Sequence, residues 1–197
     1  PRKGQHQSFG LQTVGIRIKR SSFSHSSSLC FRMSERSDSD VDGDGLGDLL
    51  FGAHLTFASD DGSAHLLYGD ETQLSESYTT DDLSAFTNGT SQDHQGGSVG
   101  SAGDLNGDGY DDFLVGAPES NTNRGYVEIF QGSFTEMADE LTEIATIYGE
   151  SDNDFFGEYL LSAGDLNADG FGDILIGAPG NGNLGSAHIF YGPISGS

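Results

Sequence analysis

A block of 18 residues recurs in this chain, and an internal repeat constrains a fold more tightly than composition does. Residues 101–118 read SAGDLNGDGYDDFLVGAP, and residues 162–179 read SAGDLNADGFGDILIGAP. Residues 40–54, DVDGDGLGDLLFGAH, form a weaker copy. The leading aspartates Asp40, Asp104 and Asp165 are 64 and 61 residues apart. The likeness continues downstream, where GSAHLLYG (62–69), GYVEIFQG (125–132) and GSAHIFYG (185–192) are short apolar runs closed by glycine. Upstream, Phe156-Gly157 leads into Tyr159-Leu160-Leu161, and the second copy keeps Gly96 but has Gln95 in the aromatic's place.

One full repeat therefore offers four strand candidates. In the second copy they fall at residues 98–102, 113–116, 126–131 and 143–148. Residues 134–141 carry helical spacing (Phe134, Met137 and Leu141) and are read as a loop or a single helical turn. Four strands in about sixty residues suit one blade of a β-propeller. The expectation is an all-β chain, a partial β-propeller of about three four-stranded antiparallel blades. The expected divisions are a basic segment at 1–37 outside the fold and blades at 38–92, 93–152 and 153–197, the last incomplete.

Composition agrees with strands joined by glycine-rich turns. There are 30 glycines, 4 prolines and 34% hydrophobic residues, too apolar for a disordered chain. The net charge of −23 is unevenly placed. Seven of the eight basic residues lie in the first 36, with Glu35 as the acid among them, and the remaining chain sets 30 acids against Arg124. So acidic a body repels nucleic acid backbones and anionic membranes and attracts cations. The single cysteine, Cys30, permits no internal disulfide. No apolar run approaches the ~18 residues that a spanning helix needs.

The acids fall in register. In the second copy Asp104, Asn106, Asp108, Tyr110 and Asp112 take positions one, three, five, seven and nine of a loop. Side-chain oxygens come from four of them, and Tyr110 can give only its backbone carbonyl. The third copy repeats this with Asp165, Asn167, Asp169, Phe171 and Asp173, and the first with Asp40, Asp42, Asp44, Leu46 and Asp48. Calcium takes six to eight oxygens in irregular geometry, and a glycine after the third ligand allows the chain to turn sharply around it. About three Ca²⁺ ions are expected. An EF-hand would need a glutamate at position twelve and flanking helices. Phe51, Val115 and Ile176 stand there instead, inside apolar runs. Magnesium demands stricter geometry, and zinc favours His or Cys, absent from the loops. Packed carboxylates without a cation would repel one another.

These residues resemble the FG-GAP repeats of the integrin α-subunit propeller. The marks are Phe156-Gly157, Gly116-Ala117-Pro118, Gly177-Ala178-Pro179 and the aspartate loop between them, and the resemblance covers residues 38–197. It implies a blade of a seven-bladed extracellular propeller, with calcium loops on one face and a protein ligand on the other. Gln95 and His54 depart from the motif, where weaker packing is expected and not lost metal. The third repeat lacks its last strand before Ser197, so the sequence is expected to be part of a longer protein. Phe9-Gly10 could open a blade, but about 22 extra residues, basic and serine-rich, then precede Asp40.

Two apparent catalytic motifs carry structural readings. Residues 96–100 match GxSxG but open a strand instead of a strand–turn–helix elbow. Residues 180–185 match GxGxxG, but a strand follows, so the helix N-terminus of a phosphate site is missing. His65 and His188 occupy equivalent strand positions, which suggests packing or a solvent face. Residues 88–90 form a glycosylation sequon. The functional expectation is a non-enzymatic, calcium-binding module at the cell surface or outside the cell. It would recognise an extracellular protein or glycan, with no nucleic acid partner and no direct membrane insertion. The alternative is an accessory domain of a secreted hydrolase or lyase, of phospholipase or polysaccharide-lyase type.

Overall fold

The computed structural model describes residues 17–19, 31–34, 39–54, 61–69, 77–79, 85–90, 93–133 and 141–195. Among them the chain is all-β, in antiparallel sheets of four, four and three strands and one short parallel pair. The second repeat gives the cleanest sheet: β7 (Ser98–Gly103), β8 (Asp112–Ala117), β9 (Tyr126–Phe130) and β10 (Glu143–Tyr148), each hydrogen-bonded to the next in chain order. The third repeat follows with β11 (Tyr159–Gly164), β12 (Asp173–Ala178) and β13 (Ser186–Phe190). These sheets are those of a partial β-propeller.

The first sheet differs from its expected boundary. Its strands are β2 (Phe31–Ser34), β3 (Leu49–Ala53), β4 (Ser63–Leu67) and β6 (Ala85–Asn88). Strand β2 pairs with β3 in the register Phe31↔Ala53 to Ser34↔Leu50, so residues upstream of 38 enter the sheet. The physical reason is backbone satisfaction. A central apolar strand such as β3 has donors and acceptors on both edges, and these must be paired when buried. Strand β1 (Arg17–Lys19) likewise pairs in parallel with β5 (Ser77–Thr79). Of the stretch 134–141, only Leu141 lies among the described residues, where it packs half-buried on the first core cluster.

Sheet faces stack on one another. Val41, Leu50, Ala64 and Leu66 of the first repeat meet Val99, Phe113, Val115 and Phe130 of the second. Ala102, Leu105, Leu114, Val127 and Ile129 of the second meet Phe156, Ile174, Ile176 and Ala178 of the third. Strand β8 reads as a near-continuous apolar run because it lies between two such layers, whereas β12 gives Ile174, Ile176 and Ala178 to the second layer alone. Burying one of their larger side chains contributes roughly 1.5–3 kcal/mol. The glycines of the first two Gly-Ala motifs set the spacing. A Cβ on Gly52 would lie 2.2 Å from the Gly96 carbonyl oxygen, and one on Gly116 would lie 2.7 Å from that of Gly157. The Gly-Ala glycines of the first and second repeats thus accept the backbone of the next repeat.

Candidate metal centre

All three aspartate loops join the first two strands of their sheets: β2 to β3, β7 to β8 and β11 to β12. In the second and third sheets a register shift marks the entry, between Ser101 and Gly103 and between Ser162 and Gly164. Such a bulge bends the strand as it runs into the loop.

Within each loop the side chains order the backbone in the same sequence. The first aspartate accepts from amides four or five residues on. Asp104 Oδ2 takes the Gly109 N–H at 2.9 Å, Asp40 Oδ2 the Gly45 N–H at 2.9 Å, and Asp165 Oδ2 the Gly170 N–H at 2.9 Å. The third position accepts from the fifth: Asp42 from Asp44 at 3.2 Å, Asn106 from Asp108 at 2.8 Å and Asn167 from Asp169 at 3.1 Å. The fifth accepts from the seventh: Asp44 from Leu46 at 2.7 Å, Asp108 from Tyr110 at 3.0 Å and Asp169 from Phe171 at 3.0 Å. This run of Asx-type turns curls the backbone of each loop. Gly45, Gly109 and Gly170 sit at φ 88°, 91° and 95°, the left-handed region the turn requires.

The ninth position has a role the spacing did not show. Asp112 accepts the Leu105 N–H at 2.9 Å on one oxygen and the Gly132 N–H at 3.0 Å on the other. Asp48 does the same with Val41 at 2.7 Å and Gly69 at 2.8 Å, and Asp173 with Leu166 at 2.6 Å and Gly192 at 3.0 Å. Each of these carboxylates ties its loop to the end of the third strand. Burial pushes Asp48 up to about 6 and Asp112 up to about 7. Nearby carboxylates add to both shifts, and the two backbone N–H groups on each oppose them. A cation beside them would favour the ionised form.

Asp40, Asp42 and Asp48 place ligand oxygens within 4.8 Å of one another. Asp40 Oδ1 is buried there without a hydrogen-bond partner. A converging set of hard oxygens with one buried oxygen left over fits a hard divalent cation. Asp44 is exposed and outside that group. In the second and third loops an asparagine replaces one acid, and its amide bonds the fifth-position aspartate instead. Asn106 Nδ2 reaches Asp108 at 3.0 Å and Asn167 Nδ2 reaches Asp169 at 2.8 Å. Gln131 Nε2 also donates to Asp108 at 2.7 Å, a contact without a signal in the loop's own spacing.

At the other end of the sheets, the two catalytic look-alikes have structural uses. Ser98 is buried and its hydroxyl donates to the Gly157 carbonyl of the third repeat. Residues 180–185 turn from β12 into β13, with the Gly185 N–H bonded to the Asn181 carbonyl at 2.9 Å. His65 and His188 each lie beside a serine two residues earlier, Ser63 at 3.0 Å and Ser186 at 2.8 Å, and the His188 ring meets Phe156 edge-on. No helix among the described residues is long and apolar enough to cross a membrane.

The FG-GAP repeat family model matches residues 96–130 and 159–190. The chain is 42% identical over 77 residues to integrin alpha-5 of Xenopus laevis, covering 39% of this chain and 7% of that protein. It is 38% identical over 103 residues to integrin alpha-4 of Xenopus laevis, covering 49% and 10%. To integrin alpha-PS2 of Drosophila melanogaster it is 32% identical over 152 residues, covering 71% and 11%. The chain thus spans about a tenth of the length of these relatives.

Proposed function

Because the chain carries FG-GAP repeats and is similar to integrin alpha subunits, we propose that it is a calcium-binding propeller module for adhesion or protein recognition outside the cell. About three Ca²⁺ ions would be held, one per loop. The ligands would be Asp40, Asp42, Asp44 and Asp48 with the Leu46 carbonyl, Asp104, Asn106, Asp108 and Asp112 with the Tyr110 carbonyl, and Asp165, Asn167, Asp169 and Asp173 with the Phe171 carbonyl. The carrying observation is the unpartnered buried Asp40 Oδ1 inside a group of close carboxylates, in a loop whose turn chemistry the other two copies repeat. The ion supplies charge balance and cross-links the hairpin. The chain's own residues hold the oxygens inward and brace the loop to the third strand.

A partner, an extracellular protein or glycan, would meet the opposite end of the sheets. There β8 passes into β9 through residues 118–125 and β10 passes into β11 through residues 149–158. A metal bound to the folded chain alone stabilises it by mass action, about 2.7 kcal/mol per site at a hundred times Kd. Thermal unfolding of the whole chain should therefore shift upward on adding millimolar Ca²⁺ and return on adding chelator. An identical midpoint in both conditions overturns this function.

A further inference from the structure

Successive loops are seated on one another by the same contacts. Tyr110, at the seventh position of the second loop, lays its ring over Gly43, at the fourth position of the first. A Cβ on Gly43 would lie 2.7 Å from Tyr110 Cε1. Phe171 lies over Gly107 in the same way, with its Cε1 2.6 Å from the place of a Cβ. Beside each ring, the eighth-position N–H of the later loop donates to the first-position carbonyl of the earlier one. These bonds run from Asp111 to Asp40 at 3.2 Å and from Gly172 to Asp104 at 2.8 Å. In the first pair Asp111 Oδ2 also accepts the Asp40 N–H at 3.1 Å. One step further, the N–H groups of Ser133 and Ile194 donate to the second-position carbonyls of Val41 and Leu105, both at 2.9 Å.

The placement of the rings matters. The fourth position stands between the side chains at three and five, which carry candidate ligand oxygens. The seventh is the residue whose carbonyl is the candidate ligand of its own loop. One aromatic residue thus touches one candidate site with its ring and would form part of the next with its backbone. Both fourth-position glycines have positive φ, 75° at Gly43 and 82° at Gly107, and a side chain on either would meet the ring. The third loop has Ala168 there, at φ 60°, a methyl where the other two loops leave room for a ring. The repeat therefore shows a seat at the first and second loops and a filled one at the third.

We propose that the loops take up their cations cooperatively, with Tyr110 and Phe171 as positioning residues that couple each loop to the one before it. This rests on the calcium reading of the loops. Ordering a loop around an ion costs conformational entropy, and a loop already ordered by its neighbour's contact loses less on binding. Coupling of this kind is reciprocal, so loss of the second site weakens both of its neighbours.

The test is a Ca²⁺ titration of the whole chain, followed by calorimetry and by amide hydrogen exchange read separately at residues 41–46, 105–110 and 166–171. Disabling the second loop with Asp108→Ala should weaken uptake at the first and third loops by about five-fold or more. Tyr110→Ala leaves every candidate ligand in place, since that residue offers only its carbonyl, and should weaken the first loop to a similar degree. Tyr110→Phe keeps the ring and should behave as the parent does. Circular dichroism in saturating Ca²⁺ checks the sheets. Should Tyr110→Ala lose them, Tyr110→Leu, which matches Leu46 of the first loop, is read in its place. Equal first-loop midpoints in the parent, Asp108→Ala and the Tyr110 variant overturn the coupling. No response to Ca²⁺ in the parent overturns the metal reading beneath it.

Discussion

Gln95 stands where the third repeat has Phe156, and the exchange is matched across the sheet. Phe156 meets His188 edge-on, whereas Gln95 is buried and donates through Nε2 to Glu128, the residue equivalent to His188. Gln95 Oε1 remains buried without a partner. Burial pushes Glu128 from 4.5 up to about 7, with Glu143 and Asp93 adding to the shift and the Gln95 bond opposing it. Between those values the folded chain holds a proton that the unfolded chain has released. This group's contribution to stability therefore falls as pH rises through the window, and the cost is complete above about 7. Glu128→Gln should match the parent near pH 4.5 and exceed its stability at pH 8, measured by urea unfolding at both. His65 works in the opposite sense. Burial lowers it from 6.5 to about 4, so it opposes folding as pH falls through that range. At this scale the candidate ligands were legible, because their spacing is local. The ninth-position partners were not, since Gly69, Gly132 and Gly192 lie 21, 20 and 19 residues further on.

Among elements, the strands of the second repeat were foreseen to within a residue or two at each end, because apolar runs and turn glycines carry that information locally. Strand β2 was not, since FRMS (31–34) sits in a basic, serine-rich stretch whose only structural cue is its pairing with β3. The Gly-Ala pairs of the first two repeats are contact points between sheets. Gly52→Ala would place a methyl against the Gly96 backbone carbonyl, which cannot swing aside as a long side chain could. Forced overpacking of this kind typically costs about 1–3 kcal/mol. Chemical denaturation of Gly52→Ala should show a loss of that order, and a variant as stable as the parent would contradict the close approach.

For the molecule as a whole, what counts is which faces are covered. Val41 and Leu105, at the second position of the first two loops, are 3% and 0% exposed because the next sheet lies over them. Leu166 holds the same position in the third loop and is 53% exposed. One substitution should therefore give two results in this chain. Leu105→Ala empties a packed site and is expected to cost about 2–5 kcal/mol. Leu166→Ala, on an open face, should change stability by about 0.5 kcal/mol or less. Denaturant midpoints of the two variants compare them directly, and equal losses would mean that the third sheet's outer face is covered as the other two are.

The amino-acid order alone determined the repeat, the strand candidates of each copy and the oxygen-bearing positions of the loops, because each is written within a few consecutive residues. Contacts between repeats were decided by the tertiary structure. Those include the sheet that takes in residues 31–34, the carbonyls seated on Gly52 and Gly116, and the aromatic rings of one loop resting on the glycines of another. Their partners lie tens of residues apart, and only the stacking of sheet faces, driven by burial of apolar area, brings them together.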